Sequence, residues 1–142
     1  MRRFLYDTAI FIYAVGSDHP YRTPCRELIE LQGDAALAGE VSVELLQELA
    51  HVRARRTNDR GSSVRLVSHV SSLCVVHDLT STDMQMALNL FEAHPELDMR
   101  DAIHGATALN RGIGAIVSPD RAFDVIEGLD RIDPLGAPAA LQ

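Results

Sequence analysis

Short, mainly apolar runs alternate along this chain with longer segments whose apolar residues recur at helical spacing. Three of these runs are predicted to be buried strands, at residues 2–6, 74–77 and 115–117. The clearest helical spacing lies in residues 42–56 and in the segment that starts at residue 101. Strands that are apolar on both faces are typical of a parallel sheet covered on both sides. We therefore predict an α/β fold, with a short, mostly parallel central sheet flanked by helices.

Turn and capping residues predict the remaining elements. Further helices are expected at 8–15, 24–32, 62–73, 83–94 and 121–128, a weak strand at 34–39 and a last strand at 131–133. Ser42 is predicted to cap the third helix, and Ser81 or Thr82 the fifth. We expect one folded domain over residues 1–134 and a loose tail over residues 135–142.

Composition and charge exclude several classes of protein. Hydrophobic residues make up 46% of the 142, which is enough for a core and too many for a disordered chain. The net charge of -7 argues against a surface coated for non-specific nucleic-acid binding. All 13 basic residues are arginine. A chain without lysine has neither a P-loop nor Schiff-base chemistry.

The sequence favours a cytoplasmic protein. No apolar run approaches the roughly 20 residues of a membrane-spanning helix. Asp7 interrupts the N-terminal apolar stretch, which argues against a signal peptide. Cys25 and Cys74 form neither a CxxC pair nor a zinc pattern, and two free thiols are typical of the cytosol.

Three aspartates are predicted to meet at one rim of the sheet. Asp7 directly follows the first strand, and Asp120 closely follows the strand at 115–117. Ligands of open parallel sheets bind beyond the carboxyl ends of the strands. The helix that starts at residue 101 is joined by a short loop to the strand at 115–117, so the two run antiparallel. Asp101 is at the start of this helix and is therefore expected at the same rim.

A fourth acid is expected from the helix over residues 42–56, where Glu44 and Glu48 share a face. Their repulsion costs a few tenths of a kcal/mol and would disappear if a cation bound there. Glu48 is followed by Leu49 and stands near Val52, which places it at the buried boundary. Buried carboxylates without a partner are costly and usually bind a metal or another cation.

Each acid alone also has an ordinary structural explanation. Asp7 and Asp120 can act as caps, and Asp101 can be stabilised by the helix macrodipole. Glu48 can pair with an arginine. Their convergence, in a chain without lysine and without zinc-type ligand spacing, is what favours a divalent ion. Hard oxygen ligands suit Mg²⁺ or Mn²⁺.

Two further signals are weaker. The planar arginine guanidinium can bind a phosphate through two parallel hydrogen bonds. The candidates for contacts with an RNA backbone are therefore Arg53, Arg55, Arg56 and Arg60. A solvated helix C-terminus explains the same cluster equally well. His104, one turn after Asp101, is either part of the site or a hydrogen-bonded structural residue. Asp98, three residues before Asp101, is expected to be a surface acid.

With these residues in view, nearly the whole chain resembles the PIN-domain family, and within it the VapC toxins of bacterial toxin–antitoxin pairs. The family's first strand and Asp-Thr motif resemble "FLYDTAIFIYA". The helix with the second acid is similar to "SVELLQELAHVRARR", and that acid maps onto Glu48. The third acid, Asp101, lies in "RDAIHGATALNRGI". The Thr/Ser-x-Asp turn resembles "AIVSPDRAFD", with Ser118 and Asp120.

The chain departs from the family at one position. Many members carry a further acid three residues after the fourth, where this sequence has Phe123. Asp124 follows one residue later and is not assigned as a ligand.

The resemblance implies a small endoribonuclease that depends on Mg²⁺ or Mn²⁺, is a homodimer, and is neutralised by a VapB-type antitoxin. We assign as catalytic metal ligands, direct or through water, Asp7, Glu48, Asp101 and Asp120. Thr8 and Ser118 are expected to orient ligands or substrate through their hydroxyls. Transfer RNA, ribosomal RNA and messenger RNA all remain open as substrates.

Other functions remain as alternatives. A metal-dependent small-molecule phosphatase would use Asp7 as a nucleophile, but the haloacid-dehalogenase pattern needs a second aspartate where Ala9 stands, and a lysine. A receiver-like module would be phosphorylated on Asp78, and it too needs a lysine. A non-catalytic PIN-like interaction domain is disfavoured by four intact acids.

Overall fold

Five short strands, all paired in parallel, form a single sheet. In the computed structural model, which describes residues 1–142, these strands are β1 (Phe4–Tyr6), β2 (Gly39–Ser42), β3 (Val75–His77), β4 (Ala115–Val117) and β5 (Asp130–Ile132). Their order across the sheet is β3-β2-β1-β4-β5. The strand that carries Asp7 is therefore central, and the strand that leads to Asp120 is its neighbour.

Seven α-helices and one short 3-10 helix connect the strands. The α-helices are α1 (Thr8–Val15), α2 (Arg22–Gly33), α3 (Val43–Thr57), α4 (Arg60–Leu73), α5 (Ser81–Ala93), α6 (Met99–Asn110) and α7 (Ala137–Leu141). The 3-10 helix spans Arg121–Val125. None of these helices has the length and apolar content needed to cross a membrane.

Alternate strand residues form a core on each face of the sheet. Phe4 and Tyr6 pack into the larger cluster, together with residues of α1, α2 and α3. Leu5 and Ile116 point the other way and pack with Phe123 and residues of α6. Because both faces are covered at the centre of the sheet, β1, β2 and β4 are fully buried, and the predicted parallel α/β architecture is confirmed. The burial predicted for the strand at 74–77 is wrong, because β3 lies at an edge of the sheet and Val75 is exposed.

The weak strand predicted at 34–39 is wrong, because β2 begins only at Gly39 and continues into polar residues. A β carbon at Gly39 would overlap the Tyr6 ring, so this close approach requires glycine. Glu40 is buried between Arg3, which donates to it twice at 2.8 Å, and His77, at 2.8 Å. These partners allow a carboxylate inside a sheet, which the sequence pattern alone does not predict.

Helix caps were predicted with mixed success. The Ser42 hydroxyl accepts from the Leu45 N–H at 3.1 Å and caps α3, as predicted. Thr80 caps α5, rather than Ser81 or Thr82, because it forms a reciprocal capping box with Asp83.

The expectation of a loose tail is wrong for residues 137–141. These residues form α7, which packs against α2. Ala137 and Leu141 are fully buried in the larger core cluster. Two buried apolar side chains, four residues apart, are enough to hold this short helix against the core, although the composition of the segment is typical of a loop.

Candidate active site

The carboxyl ends of β1 and β4 bring Asp7 and Ser118 into direct contact. The Asp7 N–H donates to the Val117 carbonyl oxygen at 3.1 Å, and the Ser118 hydroxyl donates to Asp7 Oδ2 at 2.6 Å. Asp7 is only 7% exposed. Burial raises the pKa of its carboxyl, against the opposing influence of His104 and of the serine hydroxyl. The neighbouring strand thus holds a buried aspartate in a defined orientation.

Asp120 lies on the same rim, in the turn that follows β4. Its N–H donates to the Ser118 hydroxyl oxygen at 3.0 Å, so this serine contacts both aspartates. The Asp120 carboxylate accepts from the Ala122 N–H at 2.9 Å through Oδ1 and caps the 3-10 helix. Capping uses one carboxylate oxygen and leaves the other free, so the cap and a ligand role are compatible.

Glu48, rather than Glu44, is the α3 acid that lines the same cleft as Asp7. The Thr8 hydroxyl donates to Glu48 Oε2 at 3.1 Å. Arg100 Nη1 lies 3.3 Å from the other carboxylate oxygen. Both oxygens of Glu48 therefore have partners, one from α1 and one from α6.

The start of α6 adds two acids to the rim. Asp98 caps this helix by accepting from the Asp101 N–H at 2.8 Å. Asp101, in the first turn, is half-buried and lines the cleft. Burial, followed by the charges of Asp98, Asp7 and Asp120, raises the pKa of Asp101 to about 7. Such a pKa is the mark of a carboxyl held among like charges, which a bound cation would relieve.

His104 lies beneath the cleft and is only 1% exposed. Its Nε2 is 3.4 Å from the Thr8 hydroxyl, 3.8 Å from Glu48 and 3.9 Å from Asp7. Its Nδ1 is 3.5 Å from the Ser42 hydroxyl. Burial by itself lowers the pKa of this imidazole, but the surrounding carboxylates outweigh burial and raise it. The imidazole in turn lowers the pKa of Glu48. His104 is therefore part of the site and contacts two of its acids from beneath the cleft.

The acids line one open cleft of about 190 Å³. Its carboxylate-bearing residues are Asp7, Glu48, Asp98, Asp101 and Asp120. Oxygen donors of this kind are those that Mg²⁺ and Mn²⁺ prefer, so the chemistry of the donor set fits a divalent ion. The side chains are not gathered round one point, since no three His, Cys, Asp or Glu groups have the geometry of a metal site. Arg100, which reaches Glu48 at 3.3 Å and Asp98 at 3.5 Å, already places one cation among them.

The four arginines predicted as RNA contacts fall into two pairs, Arg53 with Arg56 and Arg55 with Arg60, and none of them lines the acidic cleft. Arg55 and Arg60 line a groove of about 950 Å³ between α3 and α4. Arg56 lines a smaller pocket beside the end of α1. Arg53 is used within the fold, donating to Ser62 Oγ at 3.2 Å and to a backbone carbonyl of α1 at 3.5 Å.

Asp98 lines the cleft although it was expected to be only a surface acid, and Arg100 lines it without having been predicted. The Asp-x-x-Asp spacing that ends at Asp101 is a cap signature and could have placed Asp98 there. No sequence signal marks Arg100. Asp124 lies apart from the cleft, with its carboxylate 2.9 Å from Arg131.

Comparison with known proteins identifies relatives of the whole folded region. The PIN domain family matches residues 4–129, a span that contains every acid of the cleft. Ribonuclease VapC7 from Mycobacterium tuberculosis is 35% identical over 130 residues, which cover 90% of this chain and 89% of that protein. Ribonuclease VapC23 from the same species is 35% identical over 119 residues, covering 82% of this chain and 92% of that protein.

Solved structures share the fold at lower identity. Mycobacterium tuberculosis VapC20, described as a toxin that cleaves the sarcin-ricin loop, has a TM-score of 0.71 at 17% identity, covering 85% of this chain and 92% of that chain. VapBC2 from Rickettsia felis, bound to a promoter DNA fragment, has a TM-score of 0.70 at 14% identity, covering 92% of this chain and 98% of that chain. At these identities the likeness shows the fold alone, and it agrees with the sheet order described above.

Proposed function

We propose that this chain, which belongs to the PIN domain family, is a toxin ribonuclease of the VapC type that cuts RNA endonucleolytically in its acidic cleft. Its two mycobacterial relatives are named ribonucleases and match over more than four fifths of the chain. Cleavage would restrain translation and growth in the cytoplasm, and a cognate antitoxin would neutralise it.

The observation that carries this proposal is the convergence of carboxylates at the ends of β1 and β4. Asp7, Asp101 and Asp120 come from three separate parts of the chain and still line one cleft, where burial and mutual repulsion raise the pKa of Asp101 to about 7. Folding tolerates such repulsion where it serves a function. A cluster of acids cannot approach a polyanion unless its charge is neutralised, which favours a divalent cation as cofactor.

We assign Asp7, Glu48, Asp101 and Asp120 as the ligands of Mg²⁺ or Mn²⁺, direct or through water. When bound, such an ion would activate water and neutralise charge at the phosphodiester. The protein's own part is to hold its acids in place. Ser118 fixes Asp7 and the Asp120 turn, and Thr8 fixes Glu48.

His104 acts beneath these ligands rather than on substrate. It is fully enclosed, within 4 Å of both Asp7 and Glu48. Contact with the imidazole opposes the effect of burial on the pKa of Asp7 and lowers the pKa of Glu48, which favours the ionised carboxylates. The acids are thereby kept in the state that binds a cation.

The same cleft suits a cationic side chain from an antitoxin. Arg100 contacts Glu48 and Asp98, so a guanidinium fits among these acids. We propose that a VapB-type antitoxin inserts an Arg or Lys here, and that the toxin forms a homodimer. Apolar anchors should supply most of the affinity, because an exposed ion pair contributes only about 0.2–1 kcal/mol.

No observation favours the alternative functions. Asp78, the candidate for a receiver-like module, is exposed at the end of β3 and does not line the acidic cleft. A covalent phosphatase of the haloacid-dehalogenase type is disfavoured by Ala9, which stands where its second aspartate would be, and by the absence of lysine.

The test is cleavage of total RNA by the purified protein, with Mn²⁺ and with chelator. Asp7→Asn is the matched inactive variant, because it is nearly isosteric and keeps hydrogen-bonding capacity toward Ser118. We expect cleavage only by the wild type with metal. Equal cleavage by both proteins would indicate a contaminating nuclease and remove the assignment.

A further inference from the structure

A second pocket adjoins the acidic cleft at the C-terminal end of α1. It has a volume of about 300 Å³, at the lower end of the range of about 300–1,000 Å³ for small-ligand sites. Ala9 and Ile12 line both this pocket and the cleft, so the two are continuous along α1. Five residues of helix, about 7.5 Å of rise, separate Thr8 in the cleft from Tyr13 in the pocket.

An ordered stack of rings forms one side of this pocket. The His19 ring stacks on Tyr13, with centroids 4.5 Å apart and planes at 29°, and on Tyr21, at 5.8 Å and 15°. The His19 Nδ1 accepts from the Tyr21 N–H at 3.1 Å, which fixes the ring. The two tyrosine centroids are only 5.4 Å apart, too close to lie on opposite faces of the imidazole. The two tyrosines therefore leave one face of the exposed His19 ring without an aromatic partner.

Arg56, from α3, also lines the pocket and is exposed. It makes no hydrogen bond or ion pair within the protein, unlike Arg53 one turn earlier, which donates to Ser62. A guanidinium without a protein partner, beside a ring with one face that has no aromatic partner, is the combination that binds a stacked base and its phosphate.

We propose that this pocket holds a nucleobase of single-stranded RNA beside the phosphate that is cut. The base stacks on the face of His19 that has no aromatic partner, and Arg56 binds the adjoining phosphate. This inference rests on the proposed ribonuclease function and adds a substrate-positioning site to it. Stacking of this kind tolerates any base, so the pocket fixes the register of the strand more than its sequence.

The surroundings favour RNA over a peptide as the occupant. None of the large hydrophobic residues exposed on the protein lines this pocket. A docked peptide needs such anchors for its affinity. Asp18 precedes His19 but is not a lining residue, so the pocket itself carries no negative charge.

The experiment first maps a cleaved site with the wild type, then uses short RNAs that span it. Each RNA carries one 2-aminopurine, whose fluorescence decreases when the base stacks on a ring. The RNAs are titrated with the Asp7→Asn protein, which is expected to bind RNA without cutting it. The absence of tryptophan keeps the background low. We expect quenching at one position next to the cut. His19→Ala in the same background should abolish it and weaken binding about five- to hundredfold, the range for loss of one stacked base.

Matched variants separate stacking from folding. His19→Phe keeps a ring and should keep the quenching. Arg56→Gln should weaken binding, and its loss should depend on salt. His69→Ala and Arg2→Gln remove the same residue types from exposed positions on α4 and before β1, and should bind as the parent does.

Failure of this inference differs from failure of the ribonuclease proposal. Cleavage by the wild type without quenching that depends on His19 overturns the base pocket alone. Variants that weaken an antitoxin peptide but not RNA assign the pocket to a protein partner and overturn it too. Absence of any RNA cleavage by the wild type overturns both.

Discussion

The Ser118 hydroxyl donates to Asp7 Oδ2 at 2.6 Å, across the paired ends of β4 and β1. Ser118 Oγ also accepts from the Asp120 N–H, so one side chain sets the spacing of two acids that are more than one hundred residues apart in sequence. The geometry of the cleft is in this way a consequence of strand order, because only neighbouring parallel strands bring these two loops together.

The two glutamates of α3 provide an internal comparison. Glu48 lines the cleft and is held by Thr8, whereas Glu44 does not line it. We expect Glu48→Gln to lower the rate of RNA cleavage about 10–100-fold or more. Loss of a group that only orients a metal ligand costs about 10–100-fold, and Glu48 is assigned as a ligand itself. Glu44→Gln should keep most of the activity. Initial rates with saturating Mn²⁺ measure both, and equal losses would show that the wrong glutamate was chosen.

Stability should depend on pH through Asp101. Its pKa in the folded protein is about 7, above the ordinary value of about 3.9. The contribution of this group to the free energy of unfolding is therefore fully present below about pH 3.9 and is lost as pH rises through 7. In chelator, the free energy of unfolding of the wild type should therefore increase as the pH falls from 8 to 5. Asp101→Asn should be the more stable protein at pH 8 and lack this component. Urea titrations that give parallel pH profiles would contradict the raised pKa.

Asp83 is a buried acid whose role is structural. It accepts from Arg111 through both oxygens at 2.8 Å and from Asn110 at 2.9 Å, and these partners lower its pKa. We expect Asp83→Asn to cost about 3 kcal/mol at pH 7, as for other broken buried pairs. The deficit should shrink below pH 4, because a lowered pKa gives stability that is lost as pH falls.

Asp130→Asn is the control for that loss. Its ion pair with Arg2 has the same 2.8 Å length but is exposed, so removing it should cost at most about 1 kcal/mol. Chemical denaturation of both variants measures the difference. Similar stabilities of the two variants would show that burial of the Asp83 pair contributes little.

Metal and antitoxin should compete. If an antitoxin cation occupies the acids that bind Mn²⁺, each ligand must weaken the other by the same factor. The apparent Kd of the antitoxin peptide should rise with Mn²⁺ at constant ionic strength, and should not do so for the Asp101→Asn protein. A Kd that is independent of Mn²⁺ would place the antitoxin elsewhere on the toxin.

The parts of the fold that sequence patterns predict well are those with local signals. α1 and β4 have the predicted bounds, because apolar runs and turn residues mark both of their ends. Asp7 and Asp120 reach one rim because strand ends determine that position, whatever the packing. Thr80 was also predictable, since Thr-x-x-Asp is a capping-box pattern.

The missed features depend on contacts between distant residues. Glu40 makes β2 look polar, and only its partners Arg3 and His77 explain a carboxylate within the sheet. Leu141 docks because a hydrophobic site exists for it on α2, which no local pattern shows. Likewise, Arg100 enters the cleft through its position in α6 rather than through a motif.

The active site at Asp7 is tested most directly by sequencing RNA 5′ ends after induction of the wild type and of Asp7→Asn. The two proteins differ at one side chain of the cleft, and the asparagine should leave stability equal or higher because it removes a buried charge. We predict new 5′ ends at one or a few defined sites with the wild type alone, together with arrested growth. Identical 5′ ends in both strains would contradict an active site at Asp7 and, with it, the account of the acidic cleft.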